Sequence, residues 1–503
     1  MKMIAAVLLG LTAVVGPPFT SGENNVSEEK TVQMPVKNDP TVSFRIWFAV
    51  GSQNDPAGKE GLAEITAAML TDASTQRNTY EQILQNLFPL AASYGASSSV
   101  EMTVVLGRTH RDNVGQYYPL LLDAILAPAF MQQDLDRIKS QALNYLQNTL
   151  RYSSDEELGK AILYNDVFRG TAYGHITTGT VESVRGITLD DVKLFYRTYF
   201  TRDNVVIGIG GGYESETVER LQRDLTGLPA GKPVAAEKSI PAAQKGFTIT
   251  LVEKDAPATA ISMGYPISIL RGTRDWYALA IANSWFGEHR NSSSHLYQVI
   301  REERGLNYGD YSYIEYYPRG GMLQKPPQNV CRRQQLFEMW IRPVPNEARH
   351  FALRAALREY KRLVEIGMTE KDFALTRNFL KKYVLHYAPT TMERLGYALD
   401  DRFYGTTGSH LDLFRKMMQE LTVADVNAAI KKYLQYGDMA VAVVTKDAKS
   451  FKDALVADVK SPITYKTPKP ESVLTEDKEI EAFPINVRPE DVRIVPVSEL
   501  FAQ

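Results

Sequence analysis

Residues Gly51–Met69 read GSQNDPAGKEGLAEITAAM. Asn54, Asp55 and Pro56 punctuate a turn, and from Gly61 the spacing becomes helical, with Leu62, Ile65, Ala68 and Met69 on one side. A helix that holds a catalytic zinc ion needs two histidines one turn apart and a glutamate beside them to activate water. This one has Glu64, Ala67 and Ala68 instead. The turn and the helix start are present without the chemistry, and the rest of the chain has to explain why.

At 503 residues the chain is too long for one ordinary core, so two domains of roughly 200 residues each are expected. Apolar content of 44% and charged content of 23% are those of a globular protein, and a net charge of −2 provides no basic field for nucleic acid. Residues 1–22, MKMIAAVLLGLTAVVGPPFTSG, have the order of a secretory signal peptide: a lysine, a short apolar run, then Pro, Thr, Ser and Gly. The expectation is export, to the periplasm or beyond in a bacterial cell. No later segment is apolar enough for a membrane span after leader removal. Cys331 is the only cysteine, which excludes an internal disulfide and zinc sites built from several cysteines.

Residues 228–246, LPAGKPVAAEKSIPAAQKG, show neither helical nor strand periodicity and read as a linker. On either side one pattern occurs twice. ITLDDVKLFYRTYFTRDNVVIGIGG starts at Ile187 and LTVADVNAAIKKYLQYGDMAVAVVT at Leu421, sharing Thr188/Thr422, Asp191/Asp425, Val192/Val426 and Tyr199/Tyr433. In each copy the threonine is placed to cap a helix, the acid three residues on answers it, and a β-branched strand follows. Two related domains are therefore expected, over residues 37–227 and 247–460, separable by a cut in the linker. Residues 461–503 read as an extended strap on the second domain. Strands are predicted at Val42–Val50, Ser98–Leu106, Phe247–Val252 and Thr259–Gly264, and long helices at Gln132–Leu150, Ala348–Ile366 and Glu370–Tyr387. Without regular βαβ spacing, this mixture points to an α+β class.

GSQNDPAGKEGLAEITAAM resembles the segment of M16 (pitrilysin-type, inverzincin) zinc peptidases that carries GKxGLA and then the inverted zinc motif HxxEH. In register, Glu64 stands at the first histidine, Ala67 at the catalytic glutamate and Ala68 at the second histidine. The family's third ligand is a glutamate that falls within RIKSQALNYLQNTLRYSS, Arg137–Ser154, where there is no Asp or Glu. SSSHLYQVIREERGLNYGDYSY resembles the segment in which an arginine and a tyrosine hold substrate; Arg301 and Tyr308 match its spacing. The resemblance implies two duplicated domains of mixed sheet with packed helices, forming half of a clamshell. It also implies a subunit without a cofactor of its own, paired with a zinc-bearing M16 peptidase subunit and a peptide substrate. Two rivals stand beside this: a structural or assembly protein on the same fold, and a stand-alone peptide-binding module.

Arg301 and Tyr308 also have a chemical rationale. A guanidinium can donate to a peptide carbonyl, and a phenol to the oxyanion that forms when zinc-bound water attacks. The bland alternative is an arginine in a solvated charged run and a tyrosine anchored in the core, with Tyr311 and Tyr313. Glu64 alone cannot make a metal site. The seven histidines are scattered, and His289 and His295, which flank RNSSS, are expected in a solvent-exposed loop. GIGGG at Gly208–Gly212 lacks the lysine of a phosphate loop and reads as a closely packed strand end. The tyrosine run YGDYSYIEYY at 308–317 suits either a peptide groove or a half-buried strand.

Overall fold

The computed structural model describes the 503-residue chain except residues 1–27, 233, 235–240, 242 and 243. The proposed leader lies outside the described residues, as does part of the linker. The described residues form two mixed sheets with many helices, an α+β architecture. The first sheet has strands β1 (Thr31–Pro35), β2 (Thr41–Phe48), β3 (Ser93–Ser98), β4 (Thr103–His110) and β5 (Val205–Gly211), in the order β1-β5-β2-β4-β3. The second has β6 (Phe247–Glu253), β7 (Ala258–Ile267), β8 (Asp310–Tyr313), β9 (Gln335–Pro345), β10 (Met439–Thr445) and β11 (Val492–Pro496), in the order β11-β6-β10-β7-β9-β8. Without β11, the second order repeats the first strand for strand. β1–β5 and β6–β10 are parallel, as is the added pair β11–β6, and the remaining pairs of both sheets are antiparallel.

The repeated helix-strand units occupy equivalent places. Thr188 caps the helix Leu189–Tyr199 and Thr422 caps Val423–Tyr433, each with its aspartate closing the capping box. The acids have a second role. Asp191 pairs with Lys59 at 2.7 Å and Asp425 with Arg274 at 3.1 Å, so each helix is tied to the start of the helix beside it. Each unit then delivers a strand to its sheet, β5 in one half and β10 in the other.

Each sheet is covered on one face by a helix from the opposite half. The helix Asp155–Val167 packs on β7, β9 and β10, and the helix Thr391–Tyr404 packs on β1, β2 and β5. Every residue of β10 is buried, and a strand apolar on both faces needs cover on both. Small residues permit the close approach. A Cβ on Gly208 would lie 3.2 Å from Leu399 Cδ1, and one on Gly210 3.0 Å from Thr391 Cγ2, which accounts for GIGGG as a packed strand end. Each core thus includes a helix from the other half, an exchange that the linker alone does not reveal.

Other expectations need correction. Ser98–Leu106 is not one strand: β3 ends at Ser98 and β4 starts at Thr103, with Ser99 N–H bonded to the Met102 carbonyl at 2.8 Å to close the hairpin. The helix from Gln132 is α-helical to Asn144 and continues as a wider π-helical turn, Tyr145–Ser153. The stretch 461–503 is a strap only in part. It contains the helix Glu471–Glu481, adds β11 beside β6, and then crosses to the first half, where the Leu500 carbonyl accepts from Arg151.

Candidate functional site

The frame of Gly51–Met69 is held by structural contacts. Asp55 accepts from the N–H groups of Gly61 (2.8 Å) and Ala63 (2.7 Å), so its carboxylate caps the helix Leu62–Thr71. Gly61 has φ +97°, and a Cβ there would meet the Thr178 carbonyl oxygen at 2.6 Å. These residues fix the helix start against the loop around Thr178, whatever the helix carries further on.

Along that helix Ala67 is buried, while Glu64 and Ala68 line a cavity of about 320 Å³ together with Asp72, Gln141, Ala142, Tyr145 and Thr178. The stretch in which a third ligand would fall thus presents an amide, a methyl and a phenol to Ala68. Thr178 donates to both oxygens of Glu64, at 3.3 and 3.1 Å. Burial pushes the Glu64 carboxyl above its usual range, against the opposing pull of Thr177, Thr178 and Arg319. A zinc site of this type takes three protein ligands and a water. The donors here do not fit it: two of the three motif positions are methyl groups, and among the described residues no cluster of three or more His, Cys, Asp or Glu could hold a metal ion.

Glu64 and Tyr145 also border a larger cavity of about 370 Å³ between the halves, closed by Tyr316 and Arg319 from the second half and edged by Ala96–Ser98 of β3. A buried ion pair crosses its wall: Lys160 from the exchanged helix bonds Glu338 of β9 at 2.9 Å. The Lys160 ammonium also lies over the rings of Tyr313 (4.6 Å) and Trp340 (4.9 Å). Lys160, Arg319 and Glu338 carry no sequence signal, because only tertiary packing brings them to Glu64.

Arg301 and Tyr308 are not on this cavity wall. They stand together elsewhere, with the guanidinium 6.0 Å from the phenol ring centre. Arg301 ends the turn Tyr297–Glu302, and Gly305, with φ +70°, reverses the chain and donates to the Arg301 carbonyl at 2.8 Å. Asn307 pins the loop to Asp310 and to the Arg342 carbonyl, at 2.7 and 3.0 Å. Tyr308 is 78% exposed, whereas Tyr311 and Tyr313 are buried, so Tyr308 is not a core anchor. The charged run is not a uniformly solvated face either: Arg304 is buried, bonded to Asp477 at 2.9 Å and Glu476 at 2.7 Å.

The exposed histidine loop is a further correction. His289 is buried, its ring bonded to the Tyr313 hydroxyl and the Leu323 carbonyl, both at 2.8 Å, because the aromatic cluster of β8 and β9 closes over it. His295 bonds Glu359 at 2.7 Å instead of meeting His289. The tyrosine run splits accordingly, with Tyr311, Tyr313 and Tyr317 in a core around Trp340 and Tyr316 on the cavity wall.

Residues 31–181 match the family model described as Insulinase (Peptidase family M16), and residues 186–380 match the Peptidase M16 inactive domain. The chain belongs to peptidase family M16. Relatives of this M16 chain bear names of both kinds. Non-peptidase homolog YmxG of Helicobacter pylori is 22% identical over 466 residues, covering 89% of this chain and 99% of the relative. The uncharacterized zinc protease YmxG of Bacillus subtilis is 22% identical over 297 residues, covering 58% and 70%. The peptidase M16 inactive domain from Pseudomonas fluorescens has the same fold, with a TM-score of 0.73 at 24% identity over 83% of this chain and 95% of that one. A chain of complex III2 from Candida albicans gives 0.64 at 14% identity, over 82% and 93%. Within the family, this chain is a homologue with an incomplete catalytic motif.

Proposed function

We propose that this chain is the zinc-free subunit of an exported M16-type peptidase heterodimer, and that it lends Arg301 and Tyr308 to a peptide held at its partner's zinc. The observation that carries this reading is the pairing of exposed Tyr308 with half-buried Arg301 on a chain whose motif positions are one carboxylate and two methyl groups. An exposed phenol hydroxyl and a half-buried guanidinium on a pinned loop are ready donors for a carbonyl or an oxyanion. The leader-like residues 1–22 support export, and no described helix is long and apolar enough to cross a membrane.

The test is peptide hydrolysis by the pair isolated together from cells. Tyr308→Phe and Arg301→Ala should each lower turnover by roughly 10- to 1,000-fold, about 1.4 to 4 kcal/mol, while sedimentation shows the complex intact. Tyr308→Phe is the cleaner variant, since Arg301→Ala also removes an aliphatic stem that packs. Wild-type turnover from an intact Tyr308→Phe complex, or no zinc-bearing chain in the isolate, would shift the assignment to a structural or assembly role.

A further inference from the structure

The second half has its own cavity at the place equivalent to the degenerate motif. The helix Arg274–Gly287 lies against β8 and the helices Val423–Tyr433 and Glu370–Tyr383, as Leu62–Thr71 lies against β3 and the helices Leu189–Tyr199 and Gln132–Asn144. The cavity beside it measures about 70 Å³, and its wall is aromatic: Trp276, Tyr313, Tyr317, Tyr387, Tyr397 and Phe414. At roughly 10–15 Å³ for each water-sized group, it has room for about five of them, a small head group and not a peptide.

The polar groups on this wall are selective. Glu288, the residue after the helix, lines the cavity at 9% exposure, and no Lys, Arg or His nitrogen pairs with its carboxylate among the described residues. Arg271 is already held by two carboxylates, Glu315 at 2.7 Å and Asp400 at 3.2 Å, so it is not available to Glu288, whose carboxyl is held up to about 7 by burial and is ionised above that pH. Burial keeps His289 and His410 neutral. The Arg271 guanidinium lies 5.5 Å from the Tyr397 ring centre, so one face of this aromatic wall already takes a cation. Two donors, Trp276 Nε1 and the Tyr317 hydroxyl, are buried without a hydrogen-bond partner. Both atoms are under 1 Å² exposed, so they point into the packed aromatic core and not into the cavity.

We infer that this cavity binds a small methylated ammonium compound of the choline type, its cation among the rings against Glu288. A primary ammonium fits less well. It is strongly hydrated and needs several oxygen acceptors, whereas this wall is lined mostly by aromatic residues, which suit a weakly hydrated cation. The site is separate from the Arg301–Tyr308 pair and does not depend on the role proposed for it.

The experiment is calorimetric titration of the full-length chain at about pH 8, where Glu288 is ionised, with choline and with 3,3-dimethylbutan-1-ol, its neutral isostere. One saturable site is expected, with choline bound about tenfold or more tightly than the alcohol. Glu288→Gln should weaken choline at least tenfold and leave the alcohol unchanged. n-Butylammonium should bind more weakly than choline. Equal binding of choline and the alcohol, or no binding of choline, overturns the inference even if the Glu288 variant cannot be prepared, as does a folded Glu288→Gln protein that binds choline like wild type.

Discussion

Glu64 lies in the first turn of its helix and Glu288 just past the end of the equivalent helix of the other half, and burial raises both carboxyls. For Glu288 the shift reaches about 7, so the folded chain holds that proton far more tightly than the unfolded chain does. The group therefore contributes stability that is present at low pH and lost as pH rises from the ordinary glutamate range through 7, by at most about 1.4 kcal/mol per pH unit. Its neighbour His289 is pushed down to about 4 by burial and works in the other direction, losing stability as pH falls below the usual histidine range. Comparing variant with wild type isolates the glutamate. Melting temperatures of Glu288→Gln and wild type should be separated in favour of wild type near pH 5 and should converge or reverse near pH 8; a difference independent of pH would contradict the buried, protonated state.

At the scale of elements, the exchanged helices carry the argument. Leu158 is fully buried on a helix of the first half, in the core that includes Val252, Ala260 and Val444 of the second. Leu399 does the reverse, packing with Trp47 and Val104 of the first half. Leu158→Ala and Leu399→Ala should each cost about 2–5 kcal/mol, the range for a large-to-small change in a packed core. Because each helix belongs to both cores, unfolding should remain one transition in denaturant. A variant that melts only one half, with the other intact, would contradict the exchange. Gly210 bounds the same contact from the strand side: Gly210→Val would drive a branched side chain into Thr391 and push the helix outward, at about 1–3 kcal/mol.

For the whole molecule, the linker and the exchange make opposite demands. A proteolytic cut within 228–246 should leave two fragments that elute together from a sizing column, because the sheets still hold each other's helices. Expressed separately, each half lacks the cover for one face of its sheet and should aggregate or bind a hydrophobic dye. Two separately expressed halves, each soluble and cooperatively folded, would show that the exchange contributes little.

The duplication, the capped helix-strand units and the GIGGG strand end were all legible in the sequence, since each rests on local spacing or on the identity of a side chain. The Arg301–Tyr308 pair was legible for the same reason, as a short turn sets its spacing. Only tertiary structure decided that helices cross between the halves, because the apolar face of Asp155–Val167 looks the same whichever sheet it covers. The same holds for Lys160 and Glu338, for buried His289 and for the aromatic cavity around Glu288. Their residues are far apart in the chain, and their chemistry arises from burial and juxtaposition, which depend on the three-dimensional packing of both halves.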